Sequence, residues 1–114
     1  MQSFPKRHYV RSKKLMEAYR RIPCMNCGRD DGTVCGAHAN SAKYGKGKSI
    51  KADDNRCASL CNYCHIQVLD QGKHLDKEER ETLWSNAHRK TVRELLNRGF
   101  WPLDVQVPDI RVMN

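Results

Sequence analysis

Two short stretches decide the fold: Cys24-Met25-Asn26-Cys27-Gly28 and Cys61-Asn62-Tyr63-Cys64-His65. Each carries a pair of cysteines with two residues between them, and 33 residues separate the pairs. Two thiolates at this spacing reach adjacent corners of a tetrahedron. Cys24, Cys27, Cys61 and Cys64 therefore form a closed four-sulfur site for structural Zn²⁺, with no open position for a substrate. Gly28 suits the tight turn that follows the first pair in a zinc knuckle.

Between the pairs, residues 33–38 read as a short strand and residues 55–60 as its return. The intervening loop, 40–54, carries Gly45 and Gly47 among Lys43, Lys46, Lys48 and Lys51. A helix begins around 61–64 and runs to Leu69 or Asp70. A hairpin followed by a helix, with a cysteine pair at each end, describes a treble-clef finger. Cys35 and Cys57 fall in the strands as small apolar residues, although either could be recruited to a mixed site.

Helices flank this core. Ser12 is placed to cap a short helix whose Leu15, Met16, Tyr19 and Ile22 recur at helical spacing, and Pro23 ends it. Near the C-terminus, Asp76 and Glu79 make a capping box, and Leu83, Trp84, Ala87, Thr91, Leu95 and Leu96 form an apolar stripe. Gly99 closes that helix and Pro102 prevents its continuation, with Phe100, Trp101 and Leu103 expected to fold back on the core. His8 and His88 read as surface residues. The expected class is a small zinc-stabilised α+β domain with a treble-clef ββα-metal core. Its parts are a basic arm and helix (1–23), the zinc-bound core (24–72), and a C-terminal helix and tail packed on it (73–114).

Length and charge narrow the function. The chain has 114 residues, 39% of them hydrophobic, and a mean hydropathy of −0.82, so the apolar material suffices for one lean domain that needs a metal or partner. No apolar run is long enough to span a membrane, and residues 1–22 lack the apolar segment of a secretory signal. The expected compartment is therefore the reducing cytoplasm, where paired cysteines hold metal more often than they form disulfides. Lys plus Arg number 21 against 13 Asp plus Glu, a net charge of +8, which points to a polyanion such as nucleic acid. That balance disfavours a zinc-stabilised protein-interaction module. Closing one ion with both cysteine pairs must pack hairpin against helix, an arrangement expected to bring His38 opposite His65 across a small cleft.

Ala37-His38, Asp54-Asn55 and Cys61-Asn62-Tyr63-Cys64-His65, taken together, resemble the His-Asn-His (HNH) endonucleases of the ββα-metal superfamily, most closely the small prophage-encoded members that carry zinc-binding cysteines. The resemblance covers roughly residues 20–103 and implies a phage or prophage protein in a bacterial cell. It implies hydrolysis of DNA phosphodiester bonds, with His38 as the general base that activates water. Asn55 would hold the loop that orients this base, and His65 would bind a catalytic Mg²⁺ or Mn²⁺ distinct from the zinc.

Two positions depart from the pattern. Many HNH proteins place a metal ligand directly before the base, where Ala37 stands, and another four residues after the final histidine, where Leu69 stands. Asp70, five residues on, takes the second role if the helix ends or bulges there, with His74 a weaker substitute. His38 as a metal ligand, with water as the base, is an alternative.

Each residue also has a plainer reading. His65 can cap a helix start beside a sulfur, His38 can be a satisfied structural histidine, Asn55 a turn residue and Asp70 a helix end. Lys43, Lys46, Lys48 and Lys51, extended by Arg11 and Lys14, suit backbone contacts to DNA with little sequence preference; the bland counterpart is a solvated loop. The leading reading is a metal-dependent endonuclease. The alternative is a non-catalytic zinc-finger module that binds nucleic acid.

Overall fold

The computed structural model describes residues 10–39, 53–71 and 74–110. Ser12 caps the first helix as expected: its backbone is extended, and its Oγ accepts from the Leu15 N–H at 3.1 Å. Helix α1 (Lys13–Ala18) tightens into a 3-10 turn at Tyr19–Arg21, and Leu15, Ala18, Tyr19 and Ile22 are buried. Pro23 lacks the N–H that another turn would need.

Strands β1 (Cys35–His38) and β2 (Cys57–Leu60) pair antiparallel, with Cys35 opposite Leu60 and His38 opposite Cys57. Side chains alternate across a strand, so this register sorts the hairpin into two faces. Cys35, Ala37, Ala58 and Leu60 share one, while Gly36, His38, Cys57 and Ser59 share the other. The first face packs on Cys24, Cys61, Cys64, Leu69, Trp84 and Ala87. The second packs on Leu15, Tyr19, Val92, Leu95 and Trp101. Gly36 is required where β1 crosses α1, because a Cβ there would sit 2.6 Å from Tyr19 Cδ2.

The helix after β2 is not an α-helix. Tyr63–Asp70 winds with i→i+5 bonds, and the ladder closes where the Gln71 N–H reaches the Ile66 carbonyl at 2.9 Å. The buried residues explain the winding. Cys64 belongs with the four sulfurs and Leu69 with the apolar core, five positions apart. In an α-helix, residues five apart point about 140° from one another. The wider turn brings both toward the interior.

Helix α2 (Lys77–Asn97) opens with both halves of its capping box: Asp76 Oδ1 accepts from Glu79 N at 2.8 Å, and Glu79 Oε1 accepts from Asp76 N at 2.9 Å. Gly99, at φ +72°, closes it. The helix lies along the outer edge of β2. Thr91 Oγ1 accepts from Ser59 N at 2.9 Å, His88 Nδ1 donates to the Cys57 carbonyl at 2.7 Å, and Trp84 Nε1 donates to the Ala37 carbonyl at 2.9 Å.

Three placements correct the sequence reading. His88 is fully buried and stacked on Trp84 at 4.8 Å, because it follows Trp84 by four residues on the core-facing stripe. Leu96 lies beside that stripe and is exposed. Leu103 is fully exposed, since the turn closed by Val105 N on the Pro102 carbonyl leaves it at the outer corner, while Trp101 folds back as expected. No helix among the described residues is long and apolar enough to cross a membrane.

Candidate metal centre and histidine site

The knuckle is built by backbone bonds around the first cysteine pair. Gly28 takes φ +81°, its N–H reaches the Cys24 carbonyl at 2.9 Å, and Cys24 N reaches the Arg29 carbonyl at 2.9 Å. Met25 N donates to the Ser59 carbonyl at 2.8 Å and ties the turn to β2, while Asn26 Nδ2 donates to Cys64 Sγ at 3.3 Å. The four sulfurs of Cys24, Cys27, Cys61 and Cys64 all lie within 4.8 Å of one another, and those of Cys27 and Cys61 are 3.6 Å apart. Zinc–sulfur bonds of about 2.3 Å place tetrahedral sulfurs about 3.8 Å apart. The cluster is compatible with zinc, and none of the six cysteines is in a disulfide.

The sulfurs differ in acidity. Burial raises the Cys24 thiol, but backbone N–H groups of Cys27, Cys61 and Asn26 outweigh it and bring Cys24 down to about 7. Cys64 moves far upward through burial and the neighbouring thiols, despite the Asn26 bond. The cluster thus sets a readily ionised Cys24 beside a Cys64 that resists ionisation, and a cation among the sulfurs stabilises the thiolate form.

His38 ends β1 at the root of the loop to β2. Its Nε2 lies 2.9 Å from Asp54 Oδ1. Asp54 is buried and bonded on every side: Oδ2 accepts from Ser12 N at 2.7 Å, its carbonyl accepts from Tyr19 Oη at 2.6 Å, and its N–H reaches the Val10 carbonyl at 2.9 Å. Asp53 Oδ1 also accepts from Val10 N at 3.1 Å. These bonds anchor residues 10–12 beside residues 53–54. The start of the described chain and the ends of the lysine loop thus meet beside His38. Arg11 and Lys14 are exposed there, with Arg11 Nη1 4.0 Å from Asp53. Lys43, Lys46, Lys48 and Lys51 lie outside the described residues.

His65 does not face His38. Its Nδ1 lies 3.7 Å from Cys35 Sγ, on the other face of the hairpin. The expected cleft between the two rings is therefore replaced by a strand with one histidine beyond each face, a consequence of the odd three-residue offset between Cys35 and His38. Asp70 is exposed, one π turn beyond His65. Ala37 and Leu69 are buried in apolar surroundings. The four cysteines are the only group of three or more potential ligands among the described residues. Cys57 is buried as expected, whereas Cys35 is half-buried.

Asn55 is also placed otherwise than expected. Its Nδ2 donates to the Gln106 carbonyl at 3.0 Å, so it pins the C-terminal segment instead of orienting His38. Its Oδ1 and His88 Nε2 are buried without hydrogen-bond partners. The residue that touches His38 is the preceding Asp54. Sequence reasoning missed this role, although an acid sixteen residues after a strand-end histidine, at the far root of the same loop, was the available signal.

No protein-family model, curated protein or solved structure matches this chain. The geometry of its own residues therefore carries the functional argument.

Proposed function

We propose that this chain is a zinc-stabilised treble-clef nuclease of HNH type that hydrolyses DNA phosphodiester bonds. The observation that carries this reading is the His38–Asp54 pair, 2.9 Å apart at the loop root beside which Arg11 and Lys14 are exposed. A polyanion held by these cations and by the lysines of the loop would bring a phosphate to His38. The imidazole takes a proton from water, the water oxygen bonds to phosphorus, and the P–O3′ bond breaks. The departing oxygen is protonated by solvent.

His65 and Asp70, five residues apart in the Tyr63–Asp70 helix, are the residues offered to a divalent ion, with water completing its shell as is usual for Mg²⁺. Such an ion, when bound, supplies positive charge to the phosphate oxygens. The position directly before the base, where many HNH proteins carry a ligand, is here the methyl group of Ala37, buried in the core.

A second reading has its own observation. Apolar Ala37 and Leu69, together with a His65 turned to Cys35, fit a non-catalytic zinc finger that binds nucleic acid. The test is cleavage of supercoiled plasmid by metal-stripped, zinc-reconstituted protein with Mg²⁺ or Mn²⁺, alongside His38→Ala. A metal-dependent nick lost in a folded, zinc-loaded variant supports the nuclease. Binding without cleavage of plasmid, branched or single-stranded DNA establishes the binding module.

A further inference from the structure

We propose that Asp54 is the positioning residue of His38, fixing the tautomer in which Nδ1 is the proton-accepting atom; this rests on the reading of His38 as the base. An ionised carboxylate only accepts hydrogen bonds. The 2.9 Å contact to Asp54 Oδ1 therefore requires the proton on Nε2. A neutral imidazole carries one ring proton, which leaves the lone pair on Nδ1. Nδ1 makes no hydrogen bond to the described residues, so it is the nitrogen with capacity to take a proton from water.

The carboxylate cannot turn to suit the ring. Its second oxygen accepts from the backbone N–H of Ser12 at 2.7 Å, and the residue's main chain is held by Tyr19 and Val10. Tyr19 is itself fully buried. Asp54 thus has one oxygen committed to a fixed donor and the other directed at His38, and α1 sets the orientation of the imidazole through it.

This arrangement makes Asp54→Asn informative. The Ser12 N–H still needs an acceptor, so the amide oxygen turns to Ser12 and the amide NH₂ faces His38. Nε2 must then accept, the ring proton moves to Nδ1, and the base is blocked while size and packing stay nearly constant. A histidine held in the wrong tautomer by an Asp→Asn change costs on the order of 10⁴-fold in rate in the serine-protease triad. For this chain the expected fall in nicking rate is about a hundredfold or more, with the plasmid concentration for half-maximal rate little changed.

The experiment is long-range ¹H–¹⁵N NMR of the His38 ring in the full-length, zinc-loaded protein, followed by plasmid-nicking kinetics. The wild-type spectrum is expected to show a protonated Nε2 and an unprotonated Nδ1, a result that needs no variant. Asp54→Asn, with zinc content and thermal unfolding as controls on folding, is expected to invert that pattern and lose turnover. A wild-type ring with its proton on Nδ1, or with both tautomers equally populated, overturns the proposal. So does an Asp54→Asn protein that cuts at the wild-type rate. If the tautomers behave as expected but the wild type cuts no substrate with any divalent ion, the base reading fails, and the pair is a structural lock between α1 and the hairpin.

Discussion

Replacing Gly36 by alanine adds a single methyl group at the crossing of β1 and α1. The new Cβ would stand 2.6 Å from Tyr19 Cδ2, 3.2 Å from Tyr19 Cε2 and 3.2 Å from Met16 Cε. The methionine tip can move aside. The tyrosine ring cannot do so cheaply, because it is fully buried and its hydroxyl donates to the Asp54 carbonyl at 2.6 Å. Overpacking at a closed site costs about 1–3 kcal/mol, and pulling Tyr19 off its acceptor costs about 1 kcal/mol more. The expected loss is therefore about 2–4 kcal/mol, a fall in Tm of roughly 10–20 °C for a domain of this size. Thermal and urea unfolding of the zinc-loaded protein, followed by circular dichroism, measures it. The same methyl placed in a Tyr19→Leu background should cost under about 1 kcal/mol, because the ring it strikes is gone. A Gly36→Ala protein whose Tm lies within about 2 °C of wild type would refute the reasoning, as would equal costs in the two backgrounds.

Cys64→Ser should abolish zinc binding and cooperative unfolding together, because structural zinc supplies about 10–16 kcal/mol against a net domain stability of about 5–15 kcal/mol; metal stoichiometry and circular dichroism report both. Burial holds the His88 pKa down at about 4 from an ordinary value of 6.5. The unfolded chain therefore binds the extra proton first, so stability is complete above pH 6.5 and falls toward pH 4, by about 3 kcal/mol from this residue. His88→Asn keeps a donor for the Cys57 carbonyl and should flatten that slope in urea titrations, relative to wild type at each pH. Asp76→Ala removes the acceptor for Glu79 N and should lower stability by about 1 kcal/mol, read from the urea midpoint.

Much of the architecture was legible because it rests on local chemistry. Ser12, Asp76 and Gly99 mark helix ends through their own backbone and side-chain preferences, and they do so in the folded chain. The spacing within each cysteine pair likewise specifies a tetrahedral corner without reference to the rest of the protein. What was not legible depends on which distant residues share a face. The π winding arises because Cys64 and Leu69 must both point inward, a requirement set by the sulfur cluster and the core together. His88 is polar by composition but occupies a core position, and the spacing from Trp84 outweighed the identity of the side chain. The pairing of His38 with Asp54 depends on how a sixteen-residue excursion returns, which no short-range pattern encodes. The opposite facing of His38 and His65 follows from β-strand parity, once the register with β2 is known.

The side chains that α2 lays along β2 also bear on self-association. A two-stranded sheet ordinarily presents two rows of unpaired main-chain groups, each able to template a strand from another molecule. On β2 that row is already spoken for: Ser59 N by Thr91, the Ser59 carbonyl by Met25 N, and the Cys57 carbonyl by His88. Strand addition at this edge would first require peeling away a 21-residue helix and the knuckle turn. Aggregation through β2 is thus coupled to global unfolding, and a partially opened chain that keeps α2 in place keeps this edge protected.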